Sequence, residues 1–185
     1  LNDGAAATVR AVTGPDAGRY LSARGGVLEF AVTFTDAVTV DTANGMPRLA
    51  LTIGNTVRYA AYDRSVGGAV VFRYAIAGSD LDTDGITVGR AIDLNGGTIT
   101  DSAGNAVSDL TLNRVTATDK VLVNVRGGRA IDGYIAGATV FVDDNGNGVL
   151  DAGEASGTTD GVGNWSVNGG TGPIIMVGGT DISTN

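Results

Sequence analysis

The sequence predicts an all-β protein built as an antiparallel β-sandwich, and three observations carry that prediction. First, its 185 residues avoid helix formers: the acids are 18 Asp and 2 Glu, the bases 11 Arg and 1 Lys, and Gly reaches 30. Gly and Asp weaken helices and mark turns, while the recurring Val and Thr suit a pleated surface. Second, "VLEFAVTFT" (27–35) alternates with period two. Leu28, Phe30, Val32 and Phe34 fall on one side, and Val27, Glu29, Ala31, Thr33 and Thr35 on the other, as in a strand laid against a core. Third, short apolar stretches recur at regular intervals with turn residues between them.

In chain order, "TVRAVT" (8–13) reads as the first strand and "GPDAG" (14–18) as a turn. After 27–35 come "RLALTI" (48–53) and "TVRYAAYD" (56–63), a pair joined by Gly54-Asn55 as a two-residue hairpin turn. "AVVFRYAIA" (69–77), "ITV" (86–88), "AIDL" (91–94), "TIT" (98–100) and "KVLVNV" (120–125) complete the first module. Strands spaced in this way fit an immunoglobulin-like sandwich over 1–126, without the cysteine pair of a true immunoglobulin domain.

The boundary is expected at "RGGRAI" (126–131), where a glycine pair separates two charge regimes. Residues 1–126 carry 13 acids and 11 bases, whereas 127–185 carry 7 acids and 1 base. The second module, 127–185, is a small β module with strands at "YIAGATVFV" (134–142), "NWSV" (164–167) and "PIIMV" (173–177). Three or four strands make a thin core, at the margin of independent stability. The tail "GGTDISTN" offers no closing strand, so the module is expected to be incomplete. The start, "LNDGAAATVR", has no signal-peptide character and reads as a cut from a longer chain.

Composition also narrows function. The net charge of −8, with no clustered bases, argues against nucleic acid. No apolar run approaches 18 residues, so no membrane span is expected. His and Cys are both absent, which removes the usual general base and the thiol nucleophile. A carboxylate pair of the glycosidase kind remains chemically open, but every dense acid cluster has metal-loop spacing, and the chain is read as no enzyme. The absence of Cys fits either an intracellular protein or a secreted one stabilised in another way, and the acidic loops favour the second.

That other way is legible in "DDNGNGVLDAGE" (143–154), directly after the apolar "ATVFV". With Asp143 at position 1, Asn145, Asn147, Val149, Asp151 and Glu154 occupy positions 3, 5, 7, 9 and 12, and Gly148 occupies position 6. This is the donor pattern of an EF-hand-type calcium loop. Calcium takes about six to eight oxygens. Alternating side chains supply them, Val149 gives its carbonyl, Gly148 allows the sharp turn and Glu154 closes the set with two oxygens. Magnesium suits such a cage less well, and zinc lacks its His and Cys ligands. A second site is suggested by "DLDTDGI" (80–86): Asp80, Asp82 and Asp84 repeat the 1-3-5 spacing, Gly85 stands at 6 and Ile86 offers a carbonyl at 7. Its positions 9 and 12 are Val88 and Ala91, so further ligands would come from a neighbouring loop or water. Asp132 at the junction and Asp160 after the first loop are further candidate ligands. "DSAGN" (101–105) and "DGVGN" (160–164) share a spacing more typical of hairpin turns. Trp165 is read as core rather than as a sugar platform.

Two stretches resemble a known family. "AVTFTDAVTVDT", "PRLALTIGN", "VVFRYAIAGSDLDTDGI" and "LNGGTITDSAGN" resemble the immunoglobulin-like extender repeats of giant bacterial surface adhesins of the repeats-in-toxin type. "IDGYIAGATVFVDDNGNGVLDAGEASGTTDGVGNWSV" (131–167) resembles their calcium-loop β modules and the B-repeats of serine–aspartate surface proteins. The resemblance implies a monomeric, non-catalytic, calcium-bound segment of a fibre on the bacterial cell surface, serving attachment and biofilm formation. Its partners would be neighbouring repeats of the same chain. The glycine-rich nonapeptide repeats of the secretion tail are not present in the sequence. The rival reading is a carbohydrate- or protein-binding module of a secreted protein.

Overall fold

A computed structural model describes residues 5–131 and 133–182. It is all-β, with no α-helix among the described residues and none long and apolar enough to cross a membrane. The first strands are β1 (Val9–Thr13), β2 (Gly18–Tyr20), β3 (Val27–Phe34), β4 (Val38–Asp41), β5 (Arg48–Ile53), β6 (Thr56–Val66) and β7 (Ala69–Ala75). They are followed by β8 (Thr87–Asp93), β9 (Thr98–Asp101), β10 (Val121–Val123), β11 (Val125–Arg129) and β12 (Ile135–Ala136). The last are β13 (Thr139–Val142), β14 (Ser156–Thr158), β15 (Asn164–Asn168), β16 (Ile174–Val177) and β17 (Thr180–Asp181). A three-residue 3-10 turn, Ser22–Arg24, lies between β2 and β3.

The chain divides into two compact units, each drawing on separate stretches. One takes residues up to Gly18, Val27–Ala75 and Asp84–Val121; the other takes Arg19–Gly26, Ile76–Thr83 and everything from Leu122 onward. The expected cut after residue 126 falls inside β11, so it does not coincide with this division. Asn124 supplies the physical reason. Its backbone N–H donates to the Tyr20 carbonyl at 2.8 Å, and its carbonyl accepts from Gly169 N at 2.9 Å. Its side chain accepts from Ser22 N at 2.8 Å and donates to the carbonyls of Ala77 at 2.9 Å and Asp80 at 2.6 Å. All these partners belong to the second unit. One buried amide thus gathers segments far apart in sequence, and its left-handed φ of 52° breaks the expected strand 120–125 into β10 and β11.

The first unit is organised by an antiparallel six-stranded sheet, ordered β1-β3-β7-β6-β5-β8, with β4 and β9 paired separately. β3 alternates as its sequence predicts: Leu28, Phe30 and Val32 are fully buried and Phe34 nearly so. Phe30 stands opposite Phe72 of β7 in register, and Leu49, Leu51 and Ile53 of β5 add to the same apolar core. Gly54-Asn55 is the β5–β6 hairpin turn, with Ile53 paired to Thr56 and Gly54 at φ 55°. "ITV" and "AIDL" are one continuous strand, β8, rather than two.

The second unit contains a three-stranded sheet, β14-β13-β16, and the pairs β11–β15 and β12–β17. β17 corrects the expectation of no closing strand: Thr180 and Asp181 pair with Ala136 and Ile135. The central strand β13 pairs on both edges and is also covered on both faces: Val140, Phe141 and Val142 are all buried, and alternation gives way to a continuous apolar run. Its core cluster is small, Val140, Val142 and Val167 with Ala155, Trp165 and Ile174 packed around them. In the first unit, Phe30→Ala is expected to cost about 3–5 kcal/mol, read as a shift of its urea transition by circular dichroism.

Candidate metal centre

The 143–154 loop begins where β13 leaves the core and returns at Ala155 before β14. Val142 N donates to the Ala155 carbonyl and Asp143 N to the Pro173 carbonyl, both at 2.9 Å, so the loop is anchored on either side. Because it directly follows the buried Val140, Phe141 and Val142, Asp143 is itself only 3% exposed. Its carboxylate is the hub of the loop. Oδ1 accepts from Gly146 N at 2.8 Å and Asn147 N at 3.1 Å, and Oδ2 accepts from Gly148 N at 2.8 Å. Gly146 and Gly148 hold φ of 78° and 77°, which turn these N–H groups inward.

The remaining predicted donors gather in two sets. The amides of Asn145 and Asn147 donate to one oxygen, Asp151 Oδ2, at 2.7 and 2.6 Å. Their own Oδ1 atoms accept from Asn147 N at 3.0 Å and Val149 N at 2.8 Å. Glu154 splits its two oxygens between Asp144 N at 2.9 Å and Asp151 N at 3.0 Å. Among the described residues no three acidic side chains converge as a metal-holding group. An EF-hand-type set, however, counts amide and backbone oxygens as well. Each amide oxygen retains a second lone pair, so in number and type the donors fit a hard cation. Loading it would exchange the two amide contacts to Asp151 for metal–oxygen contacts.

The residues of the second predicted site fall to different units. Asp80 and Asp82, each 3% exposed, belong to the second. Asp80 Oδ2 accepts from Ala77 N at 2.8 Å, and the backbone of Asp82 pairs with that of Val123. Asp84 and Ile86 belong to the first unit, where the Ile86 carbonyl accepts from the Thr118 hydroxyl at 2.5 Å. Asp132 lies outside the described residues. Asp160 engages its own hairpin turn: its carboxylate accepts from Val162 N at 2.9 Å, Asn164 N at 2.8 Å and Asn164 Nδ2 at 3.1 Å. Asp101 repeats this arrangement with Ala103 N, Asn105 N and Asn105 Nδ2 at 2.9, 2.8 and 3.0 Å. The shared Asp-x-x-Gly-Asn spacing is therefore one turn used twice.

Asp144 is the residue whose role sequence reasoning missed. Its Oδ1 accepts from Thr171 N and Gly172 N, each at 2.7 Å, and so holds the 169–173 loop against the metal loop. A Cβ at Gly172 would run into the Asp143 carbonyl, which explains the glycine there. Only the packing of a distant loop reveals the role; locally Asp144 is one more acid in a charged run.

The Thr171 N–H, then the Gly172 N–H, hold the Asp144 carboxyl below its ordinary value of 3.8. The amides of Asn145 and Asn147 lower Asp151 in the same way, and the Val162 and Asn164 N–H groups lower Asp160. A group depressed on folding stabilises fully above its unfolded value, and that stabilisation is lost as pH falls through the folded one. The second unit is therefore expected to melt at progressively lower temperature below about pH 3.8. Asp144→Asn should flatten part of that acid limb, with Trp165 emission as the readout. Comparison of the chain with family models, with curated proteins and with solved structures finds no match.

Proposed function

We propose that the chain is a non-catalytic, calcium-stabilised extender segment of a large bacterial cell-surface adhesin, acting in attachment and biofilm formation outside the cell. The observation that carries this reading is the complete oxygen set of Asp143, Asn145, Asn147, Val149, Asp151 and Glu154 in one loop closed at both ends by strand hydrogen bonds. Two further features support it. The core cluster of the second unit is small, so an added source of stability has a large relative effect. The absence of His and Cys from the sequence also leaves little for catalysis to use.

Calcium bound there would supply a divalent centre on which the loop oxygens close, while the chain's own residues set the loop's shape. Asp143 holds the first turn, Gly148 allows the reversal and Glu154 ties the end of the loop back to its start. A cation that binds only the folded loop adds about 2.7 kcal/mol at a hundred times its Kd. Extracellular modules bind calcium at roughly 10⁻⁴–10⁻³ M, so such a segment stiffens on reaching the medium. Neighbouring repeats of the same chain would be its mechanical partners.

Chelation with EGTA is expected to lower the melting temperature of the second unit more than that of the first, measured by calorimetry with Trp165 emission in parallel. Identical melting curves with calcium and with chelator would count against the proposal. Glu154→Ala should remove most of the calcium response in a calorimetric titration; an unchanged isotherm would sink the loop assignment.

A further inference from the structure

Arginine is concentrated unexpectedly in one part of the second unit. In the first unit, Arg48 is matched to Asp93 at 2.8 Å, Arg64 to Asp63 and Glu29, and Arg73 to Glu29 at 3.6 Å. Arg19, Arg24 and Arg126 instead line a single cleft of about 540 Å³ together with Trp165, Pro173 and Ile174, all within the second unit. Arg19 and Arg24 form no ion pair among the described residues, although acids outnumber bases by 20 to 12 in the sequence. Arg126 is fixed in place, donating to the carbonyls of Gly172 at 2.6 Å and Thr171 at 3.2 Å.

The glycine pair of "RGGRAI" has its use here. A Cβ at Gly127 would stand 2.6 Å from Arg19 Nη1, and one at Gly128 would stand 3.0 Å from the Trp165 ring. Neither position admits a larger residue without displacing a cleft group. Successive strand residues face opposite ways, so the bare backbone takes the Arg19 guanidinium against one face and the Trp165 indole against the other, and both groups line the cleft. The indole N–H has no acceptor among the described residues and is not buried.

These features define a ligand. Guanidinium forks match a carboxylate with paired N–H donors. A flat aromatic with apolar neighbours suits the C–H face of a ring. The volume lies within the range of small-molecule sites, roughly 300–1,000 Å³. A net charge of −8 opposes a densely charged polyanion such as nucleic acid, so the ligand carries few charges and a broad apolar face. We infer that the cleft binds a sugar acid, its carboxylate held by Arg19, Arg24 and Arg126 and its ring laid against Trp165. The inference is independent of the calcium loop reading.

The test uses the full chain, with digalacturonate as the probe, galactobiose as its neutral counterpart and the dipeptide Asp-Glu as an acidic non-sugar. Trp165 is the only tryptophan of the sequence, so its emission reports the cleft directly, and calorimetry gives the affinity. Digalacturonate is expected to saturate and shift the emission, with the neutral disaccharide and the dipeptide each at least about tenfold weaker. Arg24 is exposed, and its side chain bonds to no described residue. Arg24→Ala should therefore weaken digalacturonate about tenfold or more while the melting curve stays unchanged. Arg19→Ala, a second variant, should do the same. Equal affinity for galactobiose, stronger binding of the dipeptide, undiminished affinity in both variants, or no saturable response to digalacturonate would each overturn the assignment.

Discussion

The second unit depends on how a buried strand ends. β13 buries apolar side chains on both faces, and the next residue, Asp143, carries a charge while still almost wholly covered. A carboxylate in that position must be surrounded by donors or it destabilises the fold. The loop supplies them from its own backbone, through Gly146, Asn147 and Gly148. The tight wrap of the loop is the price of putting Asp143 there.

From that anchor the order spreads outward. Asp144 takes the N–H groups of Thr171 and Gly172, and the carbonyls of those two residues orient the Arg126 guanidinium. Acidic loop, glycine-rich loop and arginine-lined cleft thus form one hydrogen-bonded series within the second unit. Asn124 does comparable work within this unit, where five hydrogen bonds reach Tyr20, Ser22, Ala77, Asp80 and Gly169.

What was legible in the sequence is what repeats locally. The alternation of β3 and the Gly54-Asn55 turn each depend on neighbours a few residues apart, and both stand as read. So does the all-β class, since the shortage of Glu and Lys acts over the whole chain. The short strands were not legible. β14 is Ser-Gly-Thr, with little β propensity, and exists because β13 offers it a register from Thr139 to Phe141. β2, β4 and β17 are likewise short, and pairing defines them more than composition. The division of the chain escaped local reading because a single amide sets it from afar. At the metal loop, spacing gave the donors' identities but not their bonds. The two asparagines point their N–H groups at Asp151, a choice of rotamer that no spacing encodes.

The embrace of Asp143 also bears on how the protein ages. Asn145-Gly146 and Asn147-Gly148 are the dipeptides most prone to deamidate, because an unhindered glycine nitrogen attacks the preceding side-chain amide to close a succinimide. Those two nitrogens are the ones Asp143 holds, Gly146 N on one oxygen and Gly148 N on the other. An amide engaged in this way is withheld from cyclisation. Asp143 therefore guards the chemical lifetime of the loop as well as its shape.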